Sequence, residues 1–289
     1  MEEKVIFWFV SISLITQAIG LYVGIQYISF IQSGIVPPVV ENPESPLSGL
    51  RIFIYVIITT VLVLALIRFF RIKNILLRGL ELFAVFFSSW LAFDAIIPFG
   101  VVLFDVMISF GIILALALTL WRILRPNHIN KTLATIFAIA GAGGVIGASI
   151  DVLPAMIFVV ILSVYDFLSV FVTKHMVYMA KALIESDSAF TFSFPYKFKK
   201  PIKIDYSGSK KRIKAHVFQL GGGDILVPLL FSVSVLRKFS LLNAISTIFG
   251  SFIALAALLY FTVKRPGKAL PALPVISAGM LAGFLLSLA

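Results

Sequence analysis

The chain has 289 residues, of which 60% are hydrophobic and only 13% are charged, and its mean hydropathy is +1.08. Soluble domains contain about 45–50% apolar and about 25% charged residues, so this composition excludes a soluble globular protein and a disordered one. Apolar runs of about 20 residues, long enough to cross a bilayer as helices, recur along the sequence. The alternation with a period of two that marks a membrane β-barrel is absent. The composition therefore predicts an all-α polytopic membrane protein.

The formal net charge is +11. In a soluble protein this value would suggest a nucleic-acid partner, but here the basic residues lie between apolar runs, where they determine membrane topology. We therefore expect the lipid bilayer, and not nucleic acid, as the partner. The chain contains no cysteine, which excludes disulfides, iron–sulfur clusters and thiol catalysis. No cofactor and no metal are expected.

Nine apolar segments are read as membrane-spanning helices, and the first is too long for the core of a signal peptide. In chain order they are Val5–Ile31, Ile52–Ile67, Ile75–Phe93, Ala95–Leu120, Leu133–Ile150, Val152–Thr173, Val217–Leu236, Phe239–Val263 and Leu270–Leu288. Asp94 and Asp151 fall at tight turns between neighbouring segments. Since aspartate is an ordinary cap at a helix N-terminus, neither residue is assigned a chemical role.

The distribution of basic residues predicts the orientation of these helices. Of the 24 Lys and Arg residues, 21 fall in one set of loops and three, Arg51, Arg237 and Lys238, in the opposite set. Because cytoplasmic loops carry the excess of positive charge, the N-terminus is expected in the cytoplasm and the C-terminus outside. An odd number of spans is required for this arrangement, and nine satisfies it.

We expect one integral membrane domain in three parts. Residues 1–173 form six spans, residues 174–215 form a basic cytoplasmic loop, and residues 216–289 form three further spans. The loop combines lysines with a run of aromatic residues between positions 190 and 198. Two interpretations stay open for it: a segment that lies on anionic headgroups, or a lid or strand-forming segment beside a site.

Acidic residues inside membrane spans are costly and therefore informative. For Glu81 the sequence favours an ion pair with Arg78, three residues earlier, near the cytoplasmic end of its helix. Asp105 could be a buried partner of a hydroxyl or backbone group, or part of a polar pathway. The other two acids are Asp166 and Asp224.

Asp166 and Asp224 are predicted to lie at equal depth. Asp166 is eight residues before Lys174, and Asp224 is eight residues after His216, on spans that run in opposite directions. At a helical rise of about 1.5 Å per residue, both carboxyls lie about 12 Å below the cytoplasmic surface. We therefore expect them to face each other across a helix–helix interface.

Unusual backbone surrounds the second of these acids. Gly221, Gly222 and Gly223 precede Asp224, and each glycine weakens a helix by about 1 kcal/mol while allowing another backbone to approach. Pro228 cannot donate to the carbonyl of Asp224, so that acceptor is freed. Glycine packing against a neighbouring helix is the alternative interpretation, and it suits Gly143 and Gly147 of the fifth span better.

The ninth span opens with two prolines, in the sequence Leu270-Pro271-Ala272-Leu273-Pro274. Two prolines three residues apart are incompatible with a regular helix at this point. Irregular backbone at membrane depth survives only where it is buried in protein or lines water. A proline in the first helical turn would explain Pro271 more easily than Pro274.

Three motifs in these spans resemble those of the presenilin and signal peptide peptidase family of intramembrane aspartyl proteases. The Tyr-Asp motif is Tyr165-Asp166, the Gly-x-Gly-Asp motif is Gly221–Asp224, and the Pro-Ala-Leu motif is Pro271–Leu273. They occur in this order in spans six, seven and nine, and the resemblance covers nearly the whole chain. One departure is Gly222, where presenilins usually carry leucine. The basic loop between the two aspartates favours the presenilin branch, and the compact chain is most similar to a prokaryotic, archaeal type of presenilin homologue in a cell membrane.

The resemblance implies an aspartic endopeptidase that hydrolyses peptide bonds within the transmembrane helices of single-span substrate proteins. Asp166 and Asp224 would be the catalytic pair and would share one proton. Residues that would shape the site or contact the substrate are Tyr165, Gly221, Gly223, Pro271, Ala272 and Leu273. Self-association into a homo-oligomer is compatible with the sequence. The alternative is an ion-coupled transporter or channel, since membrane carboxylates and interrupted helices serve those proteins too, although the first four spans contain no repeat of these motifs.

Overall fold

The computed structural model describes residues 2–69, 73–103, 106–125, 127–172, 191–195, 202–203, 212–213, 217–264 and 271–288. This part of the chain contains nine helices and six short strands. The helices are α1 (Glu2–Gln32), α2 (Pro46–Phe69), α3 (Lys73–Ile96), α4 (Phe110–Leu124), α5 (His128–Ala148), α6 (Val152–Phe171), α7 (Gly223–Lys238), α8 (Leu241–Lys264) and α9 (Leu273–Leu286). The strands are β1 (Gly100–Leu103), β2 (Val106–Ser109), β3 (Thr191–Pro195), β4 (Ile202–Lys203), β5 (Arg212–Ile213) and β6 (Val217–Gly221).

The prediction of a multi-pass helical membrane protein is confirmed. Among the described residues, six helices are long and apolar enough to cross a bilayer, namely α1, α2, α3, α5, α6 and α8, and two shorter apolar helices are α4 and α9. Large apolar side chains cover the outer surface of these helices, as lipid-facing positions require. Asp105 lies outside the described residues.

Helix α7 occupies the centre of the bundle. It packs against α1, α5, α6, α8 and α9, and its side chains belong to both of the larger hydrophobic clusters. Six of its apolar residues are at most 1% exposed: Ile225, Leu229, Leu230, Phe231, Val233 and Val235. On one side of α7, α1 and α5 pack together, and on the other α9 joins α6 to α8. The helix that carries Asp224 in its first turn is therefore largely buried within the bundle.

The glycines of α5 allow this close packing, as the sequence predicts. A Cβ atom at Gly143 would lie 2.7 Å from Cδ2 of Leu229, and one at Gly147 would lie 2.6 Å from the carbonyl oxygen of Leu230. Both neighbours belong to α7, so a larger side chain at either position would force the two helices apart.

The predicted span Ala95–Leu120 is wrong in its first half. Helix α3 continues to Ile96, and an antiparallel hairpin follows in which Gly100 of β1 pairs with Ser109 of β2. Helix α4 then begins at Phe110, with the side chain of Ser109 capping the amide of Ile112. Pro98 explains the break, because proline disfavours helix at the preceding residue and supplies no amide donor. The fold is thus all-helical, as predicted, with short strand pairs between some of its helices.

Three charged residues also differ from their predicted environments. Asp94 lies inside α3 and is not a turn cap. Glu81 contacts Arg122 at 3.5 Å, and both side chains are buried, whereas Arg78 is exposed. Asp151 occupies the N-cap position of α6, but its carboxylate makes no cap hydrogen bond and instead pairs with Lys238 of α7 at 2.9 Å.

The predicted span Val217–Leu236 begins as a strand. Residues Val217–Gly221 form β6, which pairs antiparallel with β3 from the basic loop, with Gly221 opposite Thr191. Helix α7 starts only at Gly223. Since a strand rises about 3.3 Å per residue, the depth assigned to Asp224 from a helical rise is wrong. The strand-forming interpretation of the loop is confirmed for Thr191–Pro195, and most of the remaining loop lies outside the described residues.

Candidate active site

Asp166 lies on the last third of α6 with its carboxyl group turned into the protein. The residue is 4% exposed. Its Oδ2 accepts a hydrogen bond from the backbone amide of Leu273 at 3.3 Å, and the backbone of Ala272 also donates to this carboxyl. The start of α9 therefore supplies the polar partners that a buried carboxyl requires.

Asp224 lies in the first turn of α7 and is partly buried. The backbone of Gly221 donates to its carboxyl group, and the carboxyls of Asp224 and Asp166 are close enough to interact electrostatically. A Cβ atom at Gly221 would lie 3.2 Å from Oδ2 of Asp224, so a side chain there would crowd the carboxyl. The structure thus brings the two predicted acids together, although Asp224 reaches this position from a strand and not from the interior of a long helix.

The Pro-Ala-Leu segment lies beside Asp166 and is the third part of the site, after α6 and the first turn of α7. Pro271 and Leu273 are buried and Ala272 is partly buried, and the helix begins at Leu273 with Pro274 in its first turn. The first turn of a helix leaves backbone amides without intrahelical partners. One of these amides, that of Leu273, is the donor to Asp166. The first-turn explanation therefore applies to Pro274, and Pro271 precedes the helix.

Helix α9 is joined to α6 one turn further from the carboxyl. Ser163 and Ser277 lie 2.8 Å apart between their Oγ atoms, and Ser163 donates to the carbonyl of Val159. Because Ser163 has one hydroxyl proton, Ser277 is the donor in the bond between the two helices. A groove of about 400 Å³ runs beside this contact and is lined by both serines and by Phe167.

Tyr165 is partly buried beside Asp166, and its ring packs edge-to-face on Phe53 of α2 with centroids 5.9 Å apart. It therefore connects α6 to α2, and its role in shaping the site stays a prediction. Gly223 is exposed, and no heavy atom in the described part of the chain lies within 4 Å of a Cβ placed there. Close packing in this part of the chain gives no reason for glycine at that position.

Two residues near the site were not predicted from the sequence. Ser277 could not be selected because serine is common in membrane helices. Gln17 of α1 is 2% exposed and donates to the carbonyl of Ile225, the residue after Asp224. An amide in the middle of a long apolar run was the signal that could have identified Gln17. Across the described ranges, no group of three or more histidine, aspartate or glutamate residues could hold a metal ion.

Asp166 and Asp224 lie on the neighbouring helices α6 and α7, an arrangement compatible with the two-carboxyl site of an aspartyl protease. A sequence profile of "Signal-peptide peptidase, presenilin aspartyl protease" matches residues 10–289. The chain therefore belongs to the presenilin and signal peptide peptidase family of aspartyl proteases, and it is an integral multi-pass membrane protease. This membership favours hydrolysis over the alternative of a transporter or channel.

The fold agrees with this assignment. The chain is similar to a presenilin family intramembrane aspartate protease in two crystal forms. For the C222 form the TM-score is 0.63 at 20% identity, over 97% of this chain and 96% of that chain. For the P2 form it is 0.63 at 22% identity, over 95% of this chain and 97% of that chain. A search of curated proteins by sequence finds no significant match.

Proposed function

We propose that Asp166 and Asp224 are the catalytic residues of this protease and that they share one proton. The assignment is supported by the position of the two carboxyls, which lie on the packed helices α6 and α7 and are close enough to interact electrostatically. Neighbouring carboxylates cannot both ionise cheaply, so one holds a proton while the other is ionised. This is the arrangement required of a general base beside a general acid.

In the proposed reaction the ionised carboxylate takes a proton from a water molecule, which attacks the scissile carbonyl carbon. The protonated partner donates to the carbonyl oxygen, and a proton then passes to the leaving nitrogen as the C–N bond breaks. Asp166 is the better base of the two, because two backbone donors, from Leu273 and Ala272, stabilise a negative charge on it, whereas Asp224 accepts from one, Gly221. Asp224 then acts first as the acid.

The substrates are proposed to be single-span membrane proteins whose helix unwinds locally at the cleaved bond. A helical peptide bond is enclosed in its own hydrogen-bond ladder, so hydrolysis requires an extended segment. Backbone around Pro271–Leu273 and the strands β3 and β6 can pair with such a segment by strand addition. Gly221, at the end of β6, connects this sheet to Asp224.

The proposed topology has nine spans, a cytoplasmic N-terminus, an outer C-terminus and a prokaryotic cell membrane as its location. The basic residues support it, since the loop of residues 174–215 carries ten of the 24 Lys and Arg residues. Residues 1–173 would then contribute Asp166, and residues 216–289 would contribute Asp224 and the Pro-Ala-Leu segment, to one membrane domain.

Alanine substitution of each acid tests the proposal. Purified Asp166→Ala and Asp224→Ala proteins are reconstituted with a single-span substrate in liposomes, and the products are identified by mass spectrometry. Both variants should keep their helical circular dichroism and lose cleavage. Asp151→Asn is the matched control, because Asp151 pairs with Lys238 at the other end of these helices, and it should cleave at a rate close to wild type. Cleavage by either alanine variant would refute the assignment.

A further inference from the structure

Gln17 is a buried amide that the fold retains at a cost in stability. It is 2% exposed, and its Nε2 donates to the carbonyl oxygen of Ile225 at 3.3 Å. Its Oε1 has no hydrogen-bond partner within the described residues. An unmet buried acceptor is unfavourable compared with an apolar side chain of the same shape. The amide is therefore not explained by the stability of the bundle.

The carbonyl that Gln17 contacts lies in the first turn of α7, where glycine and the hydrogen bond lost at proline leave the backbone least constrained. Ile225 follows Asp224 directly, and Gly221–Gly223 precede it, in a region where glycine gives the backbone its greatest freedom. Pro228 has no amide hydrogen to donate to the carbonyl of Asp224. Further along α7, the contacts with α1 are apolar, with Leu229 against Gly20. Apolar contacts are non-directional, so they hold α7 in the bundle without fixing the rotation of its first turn.

We propose that Gln17 is a positioning residue that fixes the first turn of α7 and thereby aims Asp224 at Asp166. The inference rests on the proposed catalytic role of Asp224. A hydrogen bond to the carbonyl of Ile225 constrains this turn in rotation and along the helix axis. Small errors in the alignment of reacting groups are costly to catalysis. Gln17 thus contributes to turnover through the geometry of the carboxyl pair, without contact to the substrate.

The test replaces the amide with an apolar side chain of matching length. Gln17→Met removes the donor and the unmet acceptor together, while the carbonyl of Ile225 keeps its helical partner. We expect the unfolding midpoint to stay the same or rise, and kcat to fall roughly fivefold to tenfold, which corresponds to one hydrogen bond. KM should stay within about twofold, because binding of the substrate is not affected. Gln17→Leu repeats the test if the methionine variant does not fold.

Thr16→Val is the matched control on the same helix. Thr16 is fully buried, and its hydroxyl donates to the carbonyl of Ile12 within α1. Its replacement should change kcat by less than about twofold. Wild-type kcat in the folded Gln17 variant would overturn the inference, as would a loss of kcat that only follows a loss of stability or that Thr16→Val shares. Asp224→Ala, assayed in parallel, separates the two proposals: cleavage there refutes the catalytic pair, whereas an inactive Asp224→Ala with a fully active Gln17→Met refutes only the role of Gln17.

Discussion

Replacing Gly147 with alanine should push α5 and α7 apart. A Cβ atom at this position would lie 2.6 Å from the carbonyl oxygen of Leu230, where ordinary contact begins at 3.4 Å, so the shortfall is about 0.8 Å. The neighbour is backbone, which cannot rotate away as a side chain can. Overpacking of this kind costs about 1–3 kcal/mol, and the higher helix propensity of alanine returns about 1 kcal/mol. We expect a net loss of up to about 2 kcal/mol in the free energy of unfolding.

The same substitution should lower cleavage, because Leu230 lies on the helix that carries Asp224. Gly79→Ala in α3 is the matched control, since none of the described residues places an atom within 4 Å of a Cβ there. That variant should gain up to about 1 kcal/mol and keep its activity. Unfolding is followed by circular dichroism in mixed micelles, and cleavage is measured in the same micelles. A Gly147→Ala protein as stable and as active as Gly79→Ala would refute the packing argument.

Three further predictions concern the site itself. Ser163→Ala and Ser277→Ala should each lower kcat a few-fold, because each removes the hydrogen bond between α6 and α9, worth about 0.6–2 kcal/mol in a membrane protein. The double variant lacks the same single hydrogen bond, so its kcat should be no lower than that of either single variant. Gly221→Ala should lower kcat while the free energy of unfolding changes little, because its Cβ would lie 3.2 Å from Oδ2 of Asp224 and crowd that carboxyl. The cleavage rate should be bell-shaped in pH: at low pH both carboxyls are protonated and no base is left, and at high pH both are ionised and no acid is left.

Each of these predictions has an outcome that contradicts it. Additive losses in the double serine variant would mean that Ser163 and Ser277 act separately, and Ser251→Ala, whose hydroxyl bonds within α8, controls for the loss of a buried serine. Wild-type kcat in Gly221→Ala would mean that the contact with Asp224 is absent. A cleavage rate that stays at a plateau at high or at low pH, instead of falling at both ends, would contradict the requirement for one ionised and one protonated carboxyl.

Asp166 and Asp224 could be selected from the sequence because two independent signals point to them: the family motifs, and the energetic cost of a carboxyl group inside a membrane span. A carboxyl group in an apolar segment is costly without a partner, which singles out the acids inside the predicted spans. Three motifs also occur along the chain in the order typical of the family, namely Tyr165-Asp166, Gly221–Asp224 and Pro271–Leu273. The break before α9 was also predictable, since proline constrains its own backbone. These are local rules, and each acts within a few residues of its cause.

The parts that could not be predicted depend on distant partners. Val217–Gly221 is a short, largely apolar run that fits a strand as well as a helix, and its pairing with Thr191–Pro195 makes it a strand. The depth of Asp224 was therefore derived from a helical rise that does not apply, because a strand and not a helix leads to this residue. Gln17 and Ile225 are 208 positions apart, and no periodicity in the sequence connects them.

The most direct test of the shared-proton site is an experimental structure with a peptide mimic bound in which a hydroxyl-bearing carbon replaces the scissile carbonyl. The mimic resembles the tetrahedral intermediate that the two acids are proposed to stabilise. The hydroxyl should lie within hydrogen-bond distance of both carboxyls, Asp166 and Asp224, with the peptide extended beside Leu273. A mimic whose hydroxyl contacts neither acid, or carboxyls that point to opposite faces of their helices, would contradict the account.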